Sequence, residues 1–569
     1  TSVASTTISV THNDATHLVV TRAASGGRSG RAFTVQPIVT IKDRYENTVT
    51  TGPDANADIR ANGEITAPNA GVSNPSDDTA TAIDGVATFG ALGLTGLVSN
   101  TYKLNFNLVG SNTVSGVSQS NITISYGTAN QLALTTQPLG GNATGQHLAT
   151  QPVVEIRDGA GNKVANSTLT VSASIVSTSG LILADGSAAR LVGATNAAVA
   201  GVASFDALDL YGLPGTDYTL KFTVTGLGFA TANPLQVTHA VAHHLAITAQ
   251  PAGGNPTGAN LSGQPVVQLR DAFENVVSGD STDVLTARLS TTSSRETLDG
   301  STTATFDHGV ATFAGLKVIA LPETNYTLDF TTTVGGNTIT SVASSSFQIT
   351  YATATKLAVY QQPVSGTTGT QLTTQPIIEV QDFYGNRVRN FSGVVTASVG
   401  GTGVTLSNST YAGVGNALEM AVVDGRATFT GLELTGVPAT DYQLTFASNT
   451  LTSVNSGNIR VTPGAPVRIE IVNQPIGSQT GAALAGQPVV KIVDSFGNTV
   501  TQNSSTVITA ALTSGTGGTL TRVVSSNSVA ITATTVNGVA TFSNLYMRGL
   551  TNHDYRITFS SGDLASAVS

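Results

Sequence analysis

The sequence of 569 residues contains no cysteine, no tryptophan and only two methionines. Without cysteine the chain cannot form disulfides or thiolate metal sites, so its stability must come from burial and hydrogen bonds. Only 10% of the residues are charged, against roughly 25% in an average soluble domain. The absence of tryptophan also weakens a carbohydrate-binding interpretation, because sugar-stacking sites favour large aromatic side chains.

Positive charge and long apolar runs are scarce as well. The formal net charge is -9 and the sequence pI is near 5.3, and no cluster of lysine and arginine is interleaved with aromatics, so nucleic acid is not an expected partner. No apolar run approaches the roughly 18 residues that a membrane span needs. The first residues lack the basic and apolar regions of a signal peptide, so we expect a mature protein or an internal fragment.

What the chain does contain is 60 glycines and abundant threonine and valine, a composition typical of short strands joined by tight turns. The length exceeds one hydrophobic core, and at roughly 100 to 200 residues per domain it predicts three to six domains. An all-β, multidomain protein is therefore expected.

The strongest signal is an internal repeat that begins with Gln-Pro, an apolar strand and an aspartate. Successive copies are 115, 113, 111 and 112 residues apart. We call this motif the first word. Two further motifs, the second and third words, follow in every copy. The second word resembles DGVATF and ends in phenylalanine, and the third word begins with a tyrosine 13 residues after that phenylalanine. The Gln-Pro words begin at Gln36, Gln151, Gln264, Gln375 and Gln487. The phenylalanines are Phe89, Phe205, Phe313, Phe429 and Phe542, and the tyrosines are Tyr102, Tyr218, Tyr326, Tyr442 and Tyr555.

Each word alternates apolar and polar residues with the period of a half-buried strand. In the first word, Val39 and Ile41 are predicted to point inward and Thr40 to face solvent. About seven short strands per repeat match a Greek-key sandwich. The predicted fold is all-β, with five tandem immunoglobulin-like Greek-key β-sandwiches in an elongated array. The predicted segments are an orphan terminal strand at 1–11, repeats 1 to 4 at 12–126, 127–239, 240–351 and 352–463, and repeat 5 at 464–569.

The pattern Asp-x-x-Gly-Asn-x-Val, followed by Asp/Asn-Gly-x-Ala-x-Phe and a tyrosine strand, resembles the bacterial immunoglobulin-like repeats of invasin- and intimin-type surface proteins. The resemblance extends over all five repeats. It implies a β-sandwich module that serves as a spacer or building block on a microbial cell surface, outside the cell.

The aspartate that ends each first word invites a calcium interpretation, because Ca²⁺ takes oxygen ligands. A hairpin turn explains the same residues, since aspartate caps the turn while glycine and asparagine tolerate the left-handed conformation. We favour the turn and expect no cofactor, with calcium as the alternative. The calcium candidates are Asp43, Asp158, Asp271, Asp382 and Asp494.

Histidines gather near one repeat boundary, at His239, His243 and His244. Imidazole is a common metal ligand, but the other boundaries lack histidine pairs, which favours a solvated linker. No nucleophile elbow, zinc-protease motif or phosphate loop occurs. We therefore predict no catalytic residues and no enzyme activity.

The ends of the chain match each other. Repeats 1 to 4 close with apolar pairs such as Ile459 and Val461, whereas the matching position in repeat 5 falls just beyond residue 569. Repeat 5 is therefore predicted to lack its last strand. The orphan segment 1–11 carries such a strand, with Val3, Ile8 and Val10 as its apolar residues. Either it completes repeat 5 of a neighbouring copy, or it belongs to an upstream repeat of a longer chain.

The sequence is compatible with three functions. The chain is a building block of a microbial surface fibre or surface layer, a passive stalk segment of a large adhesin, or a receptor-binding module. Five near-equivalent repeats favour an architectural role, and the expected partners are other copies of the chain, joined head to tail, or adjoining repeats. The polar insertion after Thr50 in repeat 1 is the largest departure from the common pattern.

Overall fold

The computed structural model describes residues 6–65, 77–176, 181–291, 293, 295–410, 417–522 and 531–569. Within these residues the regular structure is β, apart from one 3₁₀ turn at Pro53–Asn56. The strands form separate sets of sheets in each repeat, so the predicted all-β chain of tandem sandwiches is confirmed. None of the described helical structure is long and apolar enough to cross a membrane.

The first two repeats have the following strands. Those of repeat 1 are Ala15–Arg22, Gly27–Arg28, Arg31–Ala32, Ile38–Asp43, Asp58–Ile65, Thr79–Thr81, Val86–Thr88, Gly93–Leu94, Tyr102–Leu108, Val117–Ile122 and Ile124–Ser125. Those of repeat 2 are Ala129–Thr136, Val153–Asp158, Thr170–Ile175, Arg190–Val192, Thr195–Ala197, Val202–Ser204, Asp209–Tyr211, Leu220–Thr223 and Phe229–Thr231.

The last three repeats follow the same order. Repeat 3 has Ala242–Ala249, Val266–Asp271, Val284–Leu289, Thr297–Asp299, Thr303–Asp307, Val310–Thr312, Lys317–Ile319, Leu328–Thr331, Thr333–Val334, Asn337–Thr338 and Val342–Ala343. Repeat 4 has Ala354–Gln361, Ile377–Asp382, Val394–Val399, Thr405–Asn408, Glu419–Ala421, Arg426–Thr428, Leu432–Thr435, Leu444–Ser448 and Leu451–Asn455. Repeat 5 has Arg468–Asn473, Val489–Val493, Val507–Ser514, Thr519–Thr521, Ile531–Thr534, Val539–Thr541, Tyr546–Arg548, Arg556–Ser560 and Ala567–Val568.

All five repeats share two layers. In one layer the first long strand pairs antiparallel with the Gln-Pro strand, which pairs in turn with the strand of the second word; in repeat 4 these are Ala354–Gln361, Ile377–Asp382 and Arg426–Thr428. In the other layer the strand of the third word pairs antiparallel with an earlier strand, Leu444–Ser448 with Val394–Val399. The layers enclose one hydrophobic cluster in each repeat.

The Gln-Pro word joins the two sides of this arrangement. In repeat 4 the Gln375 side chain accepts a hydrogen bond from the backbone N–H of Leu432 (2.9 Å) and donates to the carbonyls of Leu372 and Leu432 (both 3.1 Å). The Pro376 carbonyl accepts a hydrogen bond from the Phe429 N–H (3.1 Å). The corresponding glutamine makes the same side-chain bonds in the other four repeats. The amide therefore satisfies buried backbone groups between the first and second words.

The core follows the predicted alternation. The paired inward residues of every first word are fully buried, as are the phenylalanines of the second and third words. In repeat 4 the rings of Phe429 and Phe446 lie 5.5 Å apart in a tilted arrangement, and the other repeats have the same pair at 5.4 to 5.6 Å. The prediction for Thr40 was wrong, because its side chain is buried rather than exposed to solvent. Its hydroxyl forms a hydrogen bond with that of Thr21 on the paired strand (3.1 Å), which satisfies the polar group away from water.

Candidate functional site at the repeat junctions

The aspartate at the end of each first word holds the preceding linker. In repeat 5, one carboxylate oxygen of Asp494 accepts the backbone N–H groups of Phe496 and Asn498 (both 2.9 Å). The other oxygen accepts the Asn498 side-chain amide (3.2 Å) and the N–H of the linker residue Gly464 (2.9 Å). We call this set of hydrogen bonds the linker clamp. It ties the entry of a repeat to the hairpin turn that begins 30 residues later.

The linker clamp recurs at every repeat. The aspartates of the clamp are buried in all five cases. The linker N–H groups are donated by Asn13 to Asp43, Gly127 to Asp158, Ala240 to Asp271, Ala352 to Asp382 and Gly464 to Asp494, at 2.7 to 3.3 Å. Burial acts to raise the pKa of Asp43 and Asp494, but the hydrogen bonds from the linker and the turn outweigh it and hold each pKa below its usual value.

These five aspartates are also the calcium candidates. Their oxygens face N–H donors, and the neighbouring asparagine presents its amide nitrogen, so a cation would have to displace several hydrogen bonds. This donor set does not fit Ca²⁺, which requires free oxygen lone pairs. Across the part of the chain that the structure describes, no group of three histidine or acidic residues is positioned to hold a metal ion. Calcium binding stays an untested hypothesis, and the hydrogen bonds favour the turn.

An aromatic side chain two residues after the clamp aspartate reaches across three of the junctions. The turn aromatic of repeat 4, Tyr384, fills the space above Gly258 of repeat 3, where an added Cβ would lie 1.9 Å from the tyrosine oxygen. Phe496 of repeat 5 covers Gly369 of repeat 4 in the same way, with a ring carbon 2.3 Å from such a Cβ. Phe273 of repeat 3 approaches Gly145 of repeat 2 at 3.3 Å. At Gly258 and Gly369 only glycine leaves room for the ring, whereas at Gly145 the closer atom to an added Cβ is in Tyr211 of the same repeat, at 2.9 Å.

These glycines occupy one equivalent position in every repeat, and we call them the pole glycines. Each has a left-handed backbone, with φ between 68° and 84°, and each donates its N–H to the backbone carbonyl of the strand or segment after the second word. They are Gly30, Gly145, Gly258, Gly369 and Gly481. Their spacing of 115, 113, 111 and 112 residues repeats that of the Gln-Pro words. Sequence reasoning missed them, although this identical spacing was a usable signal.

The junction between repeats 1 and 2 is built differently. Ala160 stands where the other repeats carry an aromatic residue, and an added Cβ at Gly30 would meet no atom of the described part of repeat 2 within 4 Å. Instead the side chain of Asn162 donates to the Gly96 carbonyl of repeat 1 and accepts from the Val98 N–H (both 2.8 Å). The asparagine of the linker clamp thus connects the two repeats directly.

Polar groups add to the junction between repeats 3 and 4. Glu323 of repeat 3 lies 3.9 Å from the Arg389 guanidinium of repeat 4. Burial and a hydrogen bond with Glu323 raise the pKa of Tyr351, in the linker, to about 12. Together with Tyr384 on Gly258, these contacts connect the two repeats through both apolar and polar groups.

The histidines near residue 240 take part in local hydrogen bonds. The ring of His239 contacts the Ala240 carbonyl (2.9 Å) and accepts the Gly279 N–H (3.1 Å). His244 pairs with Glu274 (3.0 Å), the residue that replaces glycine in the turn and adopts a φ of 66°. His243 lies beside His244, with their rings 5.5 Å apart. The rings of His239 and His244 are therefore engaged by the linker and turn of repeat 3, and His243 contacts the ring of His244.

The segment that leads into repeat 1 is held by the same hydrogen bonds as the linkers that lead into the later repeats. The Asn13 N–H donates to Asp43 (2.9 Å), and the ring of His12 accepts the Thr51 N–H (3.1 Å), as His239 accepts that of Gly279. Ahead of this clamp, Ile8 and Val10 are 90% and 88% exposed. Val3 lies outside the described residues. The apolar residues of the orphan segment that are described are thus displayed to solvent.

Repeat 5 carries a groove at the matching place. In repeats 1 to 4 the tyrosine of the third word pairs with the closing strand, as Tyr442 does with Ile459; no described residue takes that place beside Tyr555. Tyr555 keeps its hydroxyl bond to the Leu550 N–H (2.7 Å) but is only partly buried, whereas the equivalent tyrosines of repeats 1 to 4 are buried. It lines a groove of about 760 Å³ with Leu484, Leu550 and Ile557, which we call the tail groove.

No family model matches this chain, and no curated protein matches it. Among solved structures it is similar to invasin, a bacterial integrin-binding protein, with 13% identity over 96% of this chain and 99% of that chain (TM-score 0.26). It is also similar to InvD of Yersinia pseudotuberculosis, with 14% identity over 57% and 96% of the two chains (TM-score 0.25). Chicken CNTN1 FN1-FN3 domains match with 9% identity over 58% and 98% (TM-score 0.23). These TM-scores are low, so the fold assignment rests on the strand pairing.

Proposed function

We propose that this chain is a non-enzymatic, extracellular structural protein, a building block of a microbial surface fibre or surface layer. The observation that carries the proposal is the linker clamp, which recurs at all five repeat entries and is joined by direct contacts between repeats at each internal junction. A linker fixed to its own repeat and packed on the preceding one resists bending. Such a chain keeps a fixed length and a fixed orientation between its repeats, which a surface array requires.

The proposal includes head-to-tail assembly by strand donation. The orphan segment precedes the linker clamp of repeat 1, and its residues Ile8 and Val10 are exposed to solvent. The tail groove lies where the closing strand of repeat 5 is expected. In repeat 4 the corresponding residues, Ile459 and Val461, are 2% and 3% exposed. Transfer of Ile8 and Val10 from water into the groove is favourable because apolar area is buried and an unpaired edge is satisfied. A contact of this kind propagates as an open filament.

A passive stalk segment of a large adhesin is the second candidate. The clamped junctions suit a stalk equally well, and in that case the orphan segment completes an upstream repeat of a longer chain. A receptor-binding role has less support, because the largest departure from the repeat pattern is the polar insertion in repeat 1, of which residues 66–76 lie outside the described structure.

Assembly of the purified 569-residue chain tests the proposal and separates it from the stalk. Sedimentation and negative-stain microscopy should show filaments for the wild-type chain. The double substitution Ile8→Asp with Val10→Asp should leave monomers, because the equivalent residues Ile459 and Val461 are buried in the core of repeat 4, where two carboxylates would be desolvated. Ser9→Asp is the matched control, since Ser9 lies between them on the opposite face of an extended strand.

The control should assemble like the wild-type chain. Filaments that persist in the double variant would refute strand donation. A wild-type chain that is folded by calorimetry but monomeric at every accessible concentration would favour the stalk instead.

A further inference from the structure

In repeat 3, the loop before the strand Val284–Leu289 contains a buried aspartate. Asp280 is 9% exposed, and one of its carboxylate oxygens accepts the backbone N–H groups of Thr282 and Asp283 (both 3.1 Å). The other oxygen, Oδ2, is buried and has no hydrogen-bond partner among the described residues. A buried carboxylate oxygen without a donor is unfavourable, so a ligand that brings positive charge to it would stabilise the loop.

A second carboxylate lies beside that of Asp280. The Asp283 carboxyl is within hydrogen-bond reach of Asp280, and burial together with this neighbouring carboxylate raises the pKa of Asp283. No lysine or arginine of the described residues pairs with either group. The nearby Asp307 side chain is 86% exposed and contacts the His308 ring (2.6 Å). Two ionised carboxylates in contact repel each other, and a cation between them removes the repulsion.

Repeat 5 builds the same loop from neutral side chains. Asn503 and Thr506 take the places of Asp280 and Asp283, with the same backbone hydrogen bonds to the surrounding strands. The Asn503 side-chain oxygen accepts the N–H groups of Thr506 and of the residue before it (3.1 and 3.3 Å), and the Thr535 hydroxyl (2.7 Å). A phenylalanine occupies the place of Thr535 in repeat 3. The turn therefore forms without carboxylates, and its geometry does not account for the acidic pair.

Repeat 3 also carries most of the negative charge of the chain. Residues 240–351 contain nine acidic and four basic side chains, a net charge of -5 against -9 for the whole sequence. The other four repeats lie between -2 and +1 on the same count. An electrostatic field of this sign raises the local concentration of cations.

We propose that Asp280 and Asp283 of repeat 3 bind a calcium ion, with the buried Oδ2 of Asp280 and the Asp283 carboxylate as its side-chain ligands. Ca²⁺ takes oxygen ligands in flexible geometry and also accepts backbone carbonyls and water, so two carboxylates provide a weak site. The clamp aspartates differ, because their oxygens face N–H donors. A dissociation constant of about 10⁻⁴ to 10⁻³ M is expected. The site lies within one repeat, so calcium binding does not depend on assembly of the chain.

Hydrogen–deuterium exchange of the full chain provides the first test. Calcium at about ten times its dissociation constant should slow exchange in the loop at 280–285 about tenfold, because the ion binds only the closed loop. The equivalent loop of repeat 5, at 503–508, is the internal control and should not change. Isothermal titration calorimetry should report one site per chain. The absence of both added protection and binding heat at neutral pH, with calcium up to about 10 mM, would refute the proposal.

Substitution of the ligands provides the second test. Asp283→Asn keeps the shape of the side chain but removes its charge, and should weaken calcium binding by at least about tenfold. Without calcium, repeat 3 of this variant should melt no lower than in the wild-type chain, because the repulsion between the carboxylates is relieved. Asp307→Asn is the matched control, since it removes an equal charge from the neighbouring turn, and its calcium affinity should stay within about twofold of the wild-type value.

Undiminished calcium affinity in Asp283→Asn would overturn the assignment of the ligands. An equal loss in Asp307→Asn would overturn it as well, because binding would then follow the overall charge of repeat 3 rather than the buried pair.

Discussion

Gly369→Ala is expected to disturb the orientation of repeats 4 and 5 without unfolding either. The new methyl group would lie 2.3 Å from Phe496, and ordinary contact begins at 3.4 Å, so the ring must retreat by about 1.1 Å. If repeat 5 pivots on the linker clamp at about 10 Å from the ring, the width of a sandwich core, the tilt is about 6°. The left-handed φ of 74° adds local strain of about 1 kcal/mol.

Gly481→Ala is the matched control, because it introduces the same left-handed strain at a glycine whose added Cβ meets no aromatic ring of the described residues within 4 Å. Spin labels on Thr405→Cys and Thr519→Cys report the arrangement, since both positions are exposed on equivalent strands of repeats 4 and 5 and the chain has no other cysteine. Over a domain about 40 Å long, a 6° tilt moves the far end by about 4 Å.

Double electron–electron resonance should therefore show a shifted or broadened distance distribution in Gly369→Ala and the wild-type distribution in Gly481→Ala. Phe496→Ala should also broaden the distribution, because the ring is removed from the junction. Superimposable distributions for Gly369→Ala and the wild-type chain would refute the conclusion that the ring on glycine fixes the junction.

Three further predictions concern stability. Phe429→Ala should destabilise repeat 4 by about 3 to 5 kcal/mol, because its fully buried ring leaves a cavity, whereas Phe383→Ala, at a residue 75% exposed, should change stability by less than about 0.5 kcal/mol. Calorimetry of the full chain should show one transition moving in the first variant and none in the second. Tyr442→Phe should cost about 1 kcal/mol, since the hydroxyl accepts the Val437 N–H at 2.8 Å; an unchanged transition would contradict this. The lowered pKa values of Asp43 and Asp494 mean that these carboxylates contribute fully to stability at pH values above the ordinary pKa of 3.8, and that the contribution is lost as pH falls below it. Asp494→Asn should therefore reduce the acid-induced loss of stability of repeat 5. An unaltered dependence of the unfolding temperature on pH in that variant would exclude the Asp494 carboxylate as the source of this loss.

Local sequence patterns determined the fold and the core of this protein. The Gln-Pro word, the phenylalanines and the tyrosine strand recur at a fixed period, and alternation along a strand decides which side chains face the opposite layer. Buried pairs such as Ile378 and Val380 follow directly from that alternation. The tyrosine hydroxyl was also predictable, because a tyrosine corner is a local structure, and all five hydroxyls do bond to a backbone group five residues earlier.

Only the tertiary structure decided how the repeats are joined. Asp494 looked like a turn residue in the sequence, and the hydrogen bond that gives it a second role comes from Gly464, across 30 residues. Phe496 is 51% exposed, like an ordinary turn side chain, yet it covers Gly369 of the preceding repeat. Alternation records which face of a strand is buried in its own sandwich, but a contact between the ends of two sandwiches depends on their relative placement, which no periodic pattern encodes.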